Sequence, residues 1–269
     1  MDNRPIGVFD SGLGGLTAVM ELKNILPNEN IVYFGDTGRV PYGTKSVETL
    51  NRYTSQDISF LKSKDVKFVL AACGTVSSVA GEVGKNCGLP YTGVLRPTVY
   101  SAVHATKNKK IGVIGTPATI KSKSYEILIK ESLPEAEIYC AACPLFVPLV
   151  ENGHVSKSDI MVQAAMKEYL SEIKAHNVDT LILGCTHYPL LKDAIADFMG
   201  ENVTLINSGK EAAMYCAKVL KEKDMLSERE SSLSEFYVSD SVDGFYENAK
   251  SIIGREIKGN VHFVDINAF

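Results

Sequence analysis

The chain has no tryptophan among its 269 residues and only five histidines. It also lacks any run of about 18 apolar residues, which excludes a bilayer-spanning helix. The N-terminus has no charged stretch followed by an apolar core, so no export signal is read there and a cytoplasmic protein is expected. Charge of one sign is missing too: 28 Lys and Arg face 32 Asp and Glu, for a net charge of −4. Such interspersed charge gives no nucleic-acid surface and no membrane patch. Six cysteines are too few for a disulfide framework in a chain this long, and they read as thiols of a reducing compartment. What remains, 45% hydrophobic and 22% charged, is an ordinary soluble composition able to bury a large core.

Strand and helix patterns alternate from end to end. The stretch Leu181-Ile182-Leu183-Gly184-Cys185-Thr186-His187-Tyr188-Pro189 is an apolar run feeding a Gly-Cys-Thr-His turn, with a helix pattern led by Pro189. An earlier stretch, Val69-Leu70-Ala71-Ala72-Cys73-Gly74-Thr75, has the same form. Buried parallel strands read as continuous apolar runs, and their carboxyl ends are where open α/β sheets place ligands. Ile111-Gly112-Val113-Ile114-Gly115-Thr116 repeats the pattern of Ile6-Gly7-Val8-Phe9-Asp10-Ser11. Gly7 to Cys73 spans 66 positions and Gly112 to Cys185 spans 73. The chain therefore reads as two similar half-units, each ending its third main strand in a cysteine.

Alternation of this kind predicts parallel sheets with helices on both faces. The expected fold class is α/β, with two pseudo-symmetric, doubly wound parallel-sheet domains. Residues 1–96 plus 209–269 form the first, carrying Cys73, because the tail strands near 235–238 and 261–264 can return to complete it. Residues 97–208 form the second, carrying Cys185. Crossings are placed at the turn-like Arg96-Pro97 and Ser208-Gly209. Further expectations are a long helix over 46–64, one helix from Cys73 to about Asn86, a helix over 156–175, and a mobile polar connection over 222–235.

Several motifs invite chemistry. Gly12-Leu13-Gly14-Gly15 after a strand, with Asp36 after the next, resembles a dinucleotide fingerprint, yet Thr17 stands where its third glycine belongs. The alternative is a Gly-rich turn whose free N–H groups suit a carboxylate. Ser208-Gly209-Lys210-Glu211 lacks the leading glycine and the magnesium-binding hydroxyl of a phosphate loop. Cys140-Ala141-Ala142-Cys143 has no second pair to complete a zinc site, and Pro144 disfavours the helix that a redox motif opens. No metal site is expected. Of the histidines, only His187 stands beside a candidate cysteine, where a cation favours the thiolate. A single cysteine with a base suggests a covalent nucleophile. Two equivalent ones suggest instead that one thiolate takes a proton from a carbon while the opposite thiol returns one to the other face. The competing reading is a pair of inert buried thiols in a binding module.

At these residues the sequence resembles the glutamate racemases of the aspartate/glutamate racemase superfamily. The matching motifs are Phe9-Asp10-Ser11-Gly12-Leu13-Gly14-Gly15, Gly35-Asp36-Thr37 with Pro41-Tyr42-Gly43, Ala72-Cys73-x-Thr75, Ala142-Cys143-Pro144-Leu145 with Val150-Glu151, and Gly184-Cys185-Thr186-His187-Tyr188-Pro189. The resemblance implies two domains facing across a cleft and interconversion of L- and D-glutamate without a cofactor, the D-form supplying peptidoglycan. It implies Cys73 and Cys185 on either side of the α-carbon, with Asp10 assisting Cys73 and His187 and Glu151 assisting Cys185. Substrate contacts are implied at Asp10, Ser11, Pro41, Tyr42, Gly43, Thr75, Thr116, Thr119, Thr186 and His187, and a homodimer is implied as well. A sister activity on aspartate or a hydantoin stays open. The family's usual Cys-Asn-Thr is here Cys73-Gly74-Thr75, so Gly74 can offer only its backbone N–H.

Overall fold

The structure is a computed structural model that describes residues 1–253 and 260–269, the side chains of 251–260 excepted. In chain order the first half runs β1 (Ile6–Asp10), α1 (Leu16–Ile25), β2 (Ile31–Gly35), α2 (Val47–Ser63), β3 (Phe68–Ala71), α3 (Gly74–Val79), α4 (Gly81–Lys85) and β4 (Tyr91–Gly93). The second runs α5 (Leu95–Ala105), β5 (Lys110–Gly115), α6 (Pro117–Lys121), α7 (Ser124–Ser132), β6 (Glu137–Ala142), α8 (Phe146–Glu151), α9 (Ile160–Ala175), β7 (Thr180–Leu183), α10 (Lys192–Met199) and β8 (Thr204–Asn207). The tail adds α11 (Ser208–Glu222), β9 (Ser234–Val238), α12 (Val242–Ile253) and β10 (Asn260–Phe263).

The strands form two sheets, ordered β10-β9-β2-β1-β3-β4 and β6-β5-β7-β8. Each described pairing is parallel. Within each half the order is the same: second, first, third, fourth. The repeat read from the sequence is thus a repeat of topology, and the tail strands extend the first sheet past β2. In an order of this kind the chain reverses direction between the first and third strands, and the crevice at that switch point is where ligands bind.

Why these residues fold so is local chemistry. β1, β2, β3 and β7 are buried along their whole length, as two-sided parallel strands require. α2 starts where the Ser46 hydroxyl accepts from Thr49 N, and it buries Leu50, Thr54, Asp57, Ile58 and Leu61 on one face. α9 starts at Asp159, which accepts from Met161 N at 2.8 Å. α11 starts at Asn207, which accepts from Gly209 N and Lys210 N. α11 then packs on both α1 and α5, joining the halves. One apolar cluster runs through both, from Val8 and Leu16 to Phe146, Leu183 and Tyr188.

Three expectations are corrected. Arg96 and Pro97 lie in the first turn of α5, and Ser208 and Gly209 in the first turn of α11, rather than in loops. A first turn tolerates a proline because its N–H groups have no intrahelical acceptor. The helix after Cys73 is broken at Ala80 into α3 and α4. The helix expected from Ser156 begins at Ile160, where Asp159 can cap it. The polar connection after α11 is irregular and largely exposed, with contacts near its ends: Glu29 accepts from Ser227 N at 2.8 Å, Asn30 from Leu233 N at 2.8 Å, and the Lys67 ammonium donates to Met225 O at 2.7 Å.

Candidate active site

The carboxyl ends of β1, β3, β5 and β7 meet. After β3, Ala72 N donates to Phe9 O at 2.9 Å, and after β7, Gly184 N donates to Ile114 O at 2.8 Å. Each bond extends the third strand by one rung beside the first, so Cys73 and Cys185 follow at equivalent positions of the two sheets. Both thiols are buried, 5% and 6% exposed. A Cβ built on Gly74 would stand 3.6 Å from Cys185 Cα and 2.1 Å from Gly184 O. The turns that carry the two cysteines therefore touch backbone to backbone, and only glycine fits at 74 in this arrangement.

Around Cys73 the groups are acidic and hydroxylic. Its Sγ donates to Ser11 Oγ at 3.7 Å. Burial and the nearby Asp10 carboxylate push the Cys73 thiol up to about 12, against weaker help from Val76 N–H and Ser11. Asp10 closes β1 and accepts from Gly12 N at 3.0 Å through one oxygen, while the other is buried and has no hydrogen-bond partner among the described residues. Burial pushes the Asp10 carboxyl up, opposed by the His187 charge and the backbone N–H groups of Gly12, Gly15 and Ser11.

Around Cys185 the environment is cationic. His187 Nδ1 lies 3.8 Å from Cys185 Sγ, and its Nε2 lies 3.0 Å from Glu151 Oε1. Burial disfavours the charged ring, but the Cys185 sulfur and Glu151 outweigh it and push His187 up to about 10. At neutral pH the ring is an imidazolium with a donor on each nitrogen, one for the sulfur and one for the carboxylate. Glu151 ends α8, whose Phe146 packs edge-on against Tyr188 at 5.1 Å between ring centroids. Tyr188 donates to Cys143 O at 3.0 Å, so the turn after Cys185 is fastened to the helix that supplies Glu151. That turn continues as a short 3₁₀ segment, and α10 opens only at Lys192, so the helix expected to be led by Pro189 starts three residues later.

Three hydroxyls line the seam between the halves. Thr75 Oγ1 and Thr116 Oγ1 are 3.0 Å apart, and Thr116 Oγ1 is 3.0 Å from Thr119 Oγ1. Gly43 lies against Thr116, where a Cβ would come within 3.2 Å. On the other side Gly14 lies against Thr186 and His187, at 2.4 and 2.5 Å from a built Cβ. Thus Asp10, Ser11, Gly43, Gly74, Thr75, Thr116, Thr119, Thr186, His187 and Glu151 are gathered about the cysteine pair. Pro41, in a cis Val40–Pro41 peptide, is exposed at the edge of the same loop. Tyr42 is placed differently from a side-chain contact: its hydroxyl is buried against Asp36 and Asp57, so only its backbone faces the seam. Asp36 is spent in that bond, with Arg39 and Ser239, and offers nothing to a ribose.

Thr17, read in the sequence only as a break in the glycine pattern, donates its hydroxyl to Thr186 O at 2.9 Å and stitches the glycine-rich turn to the turn that carries Cys185. The readable signal was a polar residue on the buried face of α1. Cys143 is buried and Cys140 half-buried, and burial pushes both thiols up, as for packed sulfurs. A cavity of about 760 Å³ between α4, β4, α5, α7 and α11 is lined by neither Cys73 nor Cys185.

The family description Asp/Glu/Hydantoin racemase matches residues 18–216. The chain is 43% identical over 269 residues to a glutamate racemase of Thermoanaerobacter pseudethanolicus, covering 100% of both. It superposes on glutamate racemase from Francisella tularensis in complex with D-glutamate at a TM-score of 0.92, with 38% identity and 100% of both chains covered. A glutamate racemase isoform from Bacillus anthracis superposes at 0.93, with 36% identity and 98% of each chain.

Proposed function

The chain belongs to the Asp/Glu/hydantoin racemase family, and we propose that it interconverts L- and D-glutamate with Cys73 and Cys185 as the two bases. One thiolate takes the α-proton, leaving its electron pair on carbon. The opposite thiol delivers its proton to the other face, so the centre inverts and the thiol and thiolate have exchanged sides. The observation that carries this reading is the equivalence of the two cysteines, one at each switch point, with their turns in backbone contact.

The surroundings give the two sulfurs different starting roles. Burial beside Asp10 keeps Cys73 a thiol at neutral pH, which suits a proton donor. His187 Nδ1 stands 3.8 Å from the Cys185 sulfur, and Cys185 takes the part of proton acceptor in this direction. When the reverse reaction starts from the Cys73 thiol, Asp10 can take the proton that must leave that sulfur before it acts as the base. The charge that develops on the substrate needs fixed donors. Ser11, Thr75, Thr116, Thr119 and Thr186 supply hydroxyls, and the backbone at Gly43 and Gly74 supplies N–H groups. These are the substrate-binding residues in this reading, with Pro41 and Tyr42 shaping the loop that presents Gly43.

Residues 1–96 with 209–269 and residues 97–208 act as two domains in this reading. With both thiols buried, the domains part to admit the amino acid and close to exclude water. The D-glutamate made would serve peptidoglycan synthesis in the cytoplasm, where free thiols persist, and the enzyme would work as a homodimer. The test is to follow L-glutamate and L-aspartate by circular dichroism in deuterium oxide. Loss of the signal with deuterium at Cα for glutamate alone is the expected result. Turnover of aspartate instead would move the assignment to the sister activity, and no turnover of either would make the chain a binding module.

A further inference from the structure

A second buried polar cluster lies beside the site, and the two-base reaction leaves it unused. Asp36, directly after β2, accepts from the Tyr42 hydroxyl, from Arg39 Nε at 2.6 Å and from Ser239 Oγ at 2.7 Å. Asp57, from the middle of α2, accepts from Arg39 Nη2 at 2.9 Å and lies 3.2 Å from the Tyr42 hydroxyl. Both carboxylates are 0% exposed and the Arg39 side chain is 12% exposed. The guanidinium also lies 4.0 Å over the Tyr53 ring.

Two buried carboxylates facing one guanidinium are an expensive arrangement unless charge is balanced. The phenol has one hydrogen for two acceptors, so the second contact is a hydrogen bond only when a carboxyl carries a proton. Burial beside Asp36 pushes Asp57 well above its ordinary range, which makes Asp57 the holder. The unit is then one proton, one cation and two carboxyls, and the two carboxyls grip the Tyr42 hydroxyl from two sides. Its cost must be offset by something, and the structure shows what it grips. Val40 lies over Gly12, where a Cβ would be 3.2 Å away, and Gly43 lies against Thr116 at the same distance. The loop between them spans the seam from the Gly-rich turn of the first half to α6 of the second.

We propose that Asp57 and Arg39 are positioning residues that hold the 40–43 loop through Tyr42, so that the Gly43 backbone meets the carboxylate of the amino-acid substrate. The inference rests on the racemase reading, and it goes beyond it by assigning a role to two residues that touch no reacting atom. Neither belongs to the cysteine machinery, so their loss should weaken substrate capture more than proton transfer.

The experiment measures KM and kcat for glutamate racemisation in wild type, Asp57→Ala and Asp57→Asn, with thermal unfolding alongside. Asp57→Ala frees the loop and is expected to raise KM about tenfold with kcat changed less than about threefold. Asp57→Asn keeps an acceptor for Arg39 and a donor for Tyr42, as a protonated carboxyl does, and is expected to restore KM to within about twofold. Should Asp57→Ala fail to fold, Arg39→Gln at the rim of the cluster is the second variant, with the same KM rise expected. An unchanged KM in the folded variant overturns the proposal, and so does an Asn variant as impaired as Ala. A lowered unfolding temperature with unchanged KM means a merely structural cluster and also overturns it. Wild-type enzyme that leaves glutamate unconverted would instead overturn the racemase reading, and that outcome is seen without any variant.

Discussion

Gly74→Ala is the sharpest test of how the two halves meet. A Cβ at this position comes 2.1 Å from Gly184 O, whereas ordinary contact begins near 3.4 Å, so the turns must separate by about 1.3 Å. Neither partner can give locally, since Gly74 opens α3 and Gly184 N is hydrogen-bonded to Ile114 O at the end of β5. The separation therefore falls on the spacing between the halves, and with it on the distance from each sulfur to one carbon between them. A misplacement near 1 Å costs on the order of 100-fold in rate when reacting groups must be held in attack geometry. Racemisation followed by circular dichroism in both directions should fall by about that factor, while far-ultraviolet signal and thermal midpoint stay close to wild type. Gly74→Asn carries the same Cβ, meets the same carbonyl and should lose activity likewise. A Gly74→Ala protein that is folded and fully active would refute the argument, because the backbone contact would then play no part in setting the spacing of the thiols.

Other expected outcomes follow from the same geometry. Cys73→Ala and Cys185→Ala should each reduce glutamate racemisation by at least about 1000-fold without loss of fold, checked by the same assay; full activity in either sinks the two-base mechanism. Glu151→Gln removes the carboxylate 3.0 Å from His187 Nε2 and should lower the ring's pKa, read by NMR titration of the imidazole; an unmoved titration would show that Cys185 alone sets it. His187 has a folded-state pKa raised from 6.5 to about 10, so its protonation stabilises the fold fully below about pH 6.5 and that contribution is lost as pH rises through about 10. Urea unfolding of wild type and His187→Gln across this window should show the slope in wild type only. Lys67→Met strands Glu29, its buried partner at 2.6 Å, and should cost about 3–5 kcal/mol in urea unfolding; a loss below about 1 kcal/mol would mean that the pair is solvated.

What the sequence makes legible is what depends on neighbours along the chain. The apolar runs ending in Cys73 and Cys185 can be read as buried parallel strands because such strands are apolar on both faces, and the repeated order β2-β1-β3-β4 and β6-β5-β7-β8 follows from the repeat of that pattern. Where reading fails, the deciding partner is far away in the chain. Pro97 reads as a turn, yet a proline in the first turn of α5 costs nothing that α5 would otherwise have. Tyr42 reads as a ligand contact because of its motif, and no local pattern reports that its hydroxyl turns inward to Asp57, fifteen residues later in a helix. Asp57 itself does leave a trace: it stands in the stripe Leu50, Thr54, Ile58 and Leu61 that α2 buries. A charged residue in such a stripe has to find a partner within the core. That partner is Arg39, so the charged position in an apolar face already implied a cation drawn into the core beside it. Gly74 leaves no comparable trace, since nothing near it in sequence demands a missing side chain. Its reason is Gly184 O, 110 residues away on the other sheet, and the contact exists only because the two half-sites were brought together.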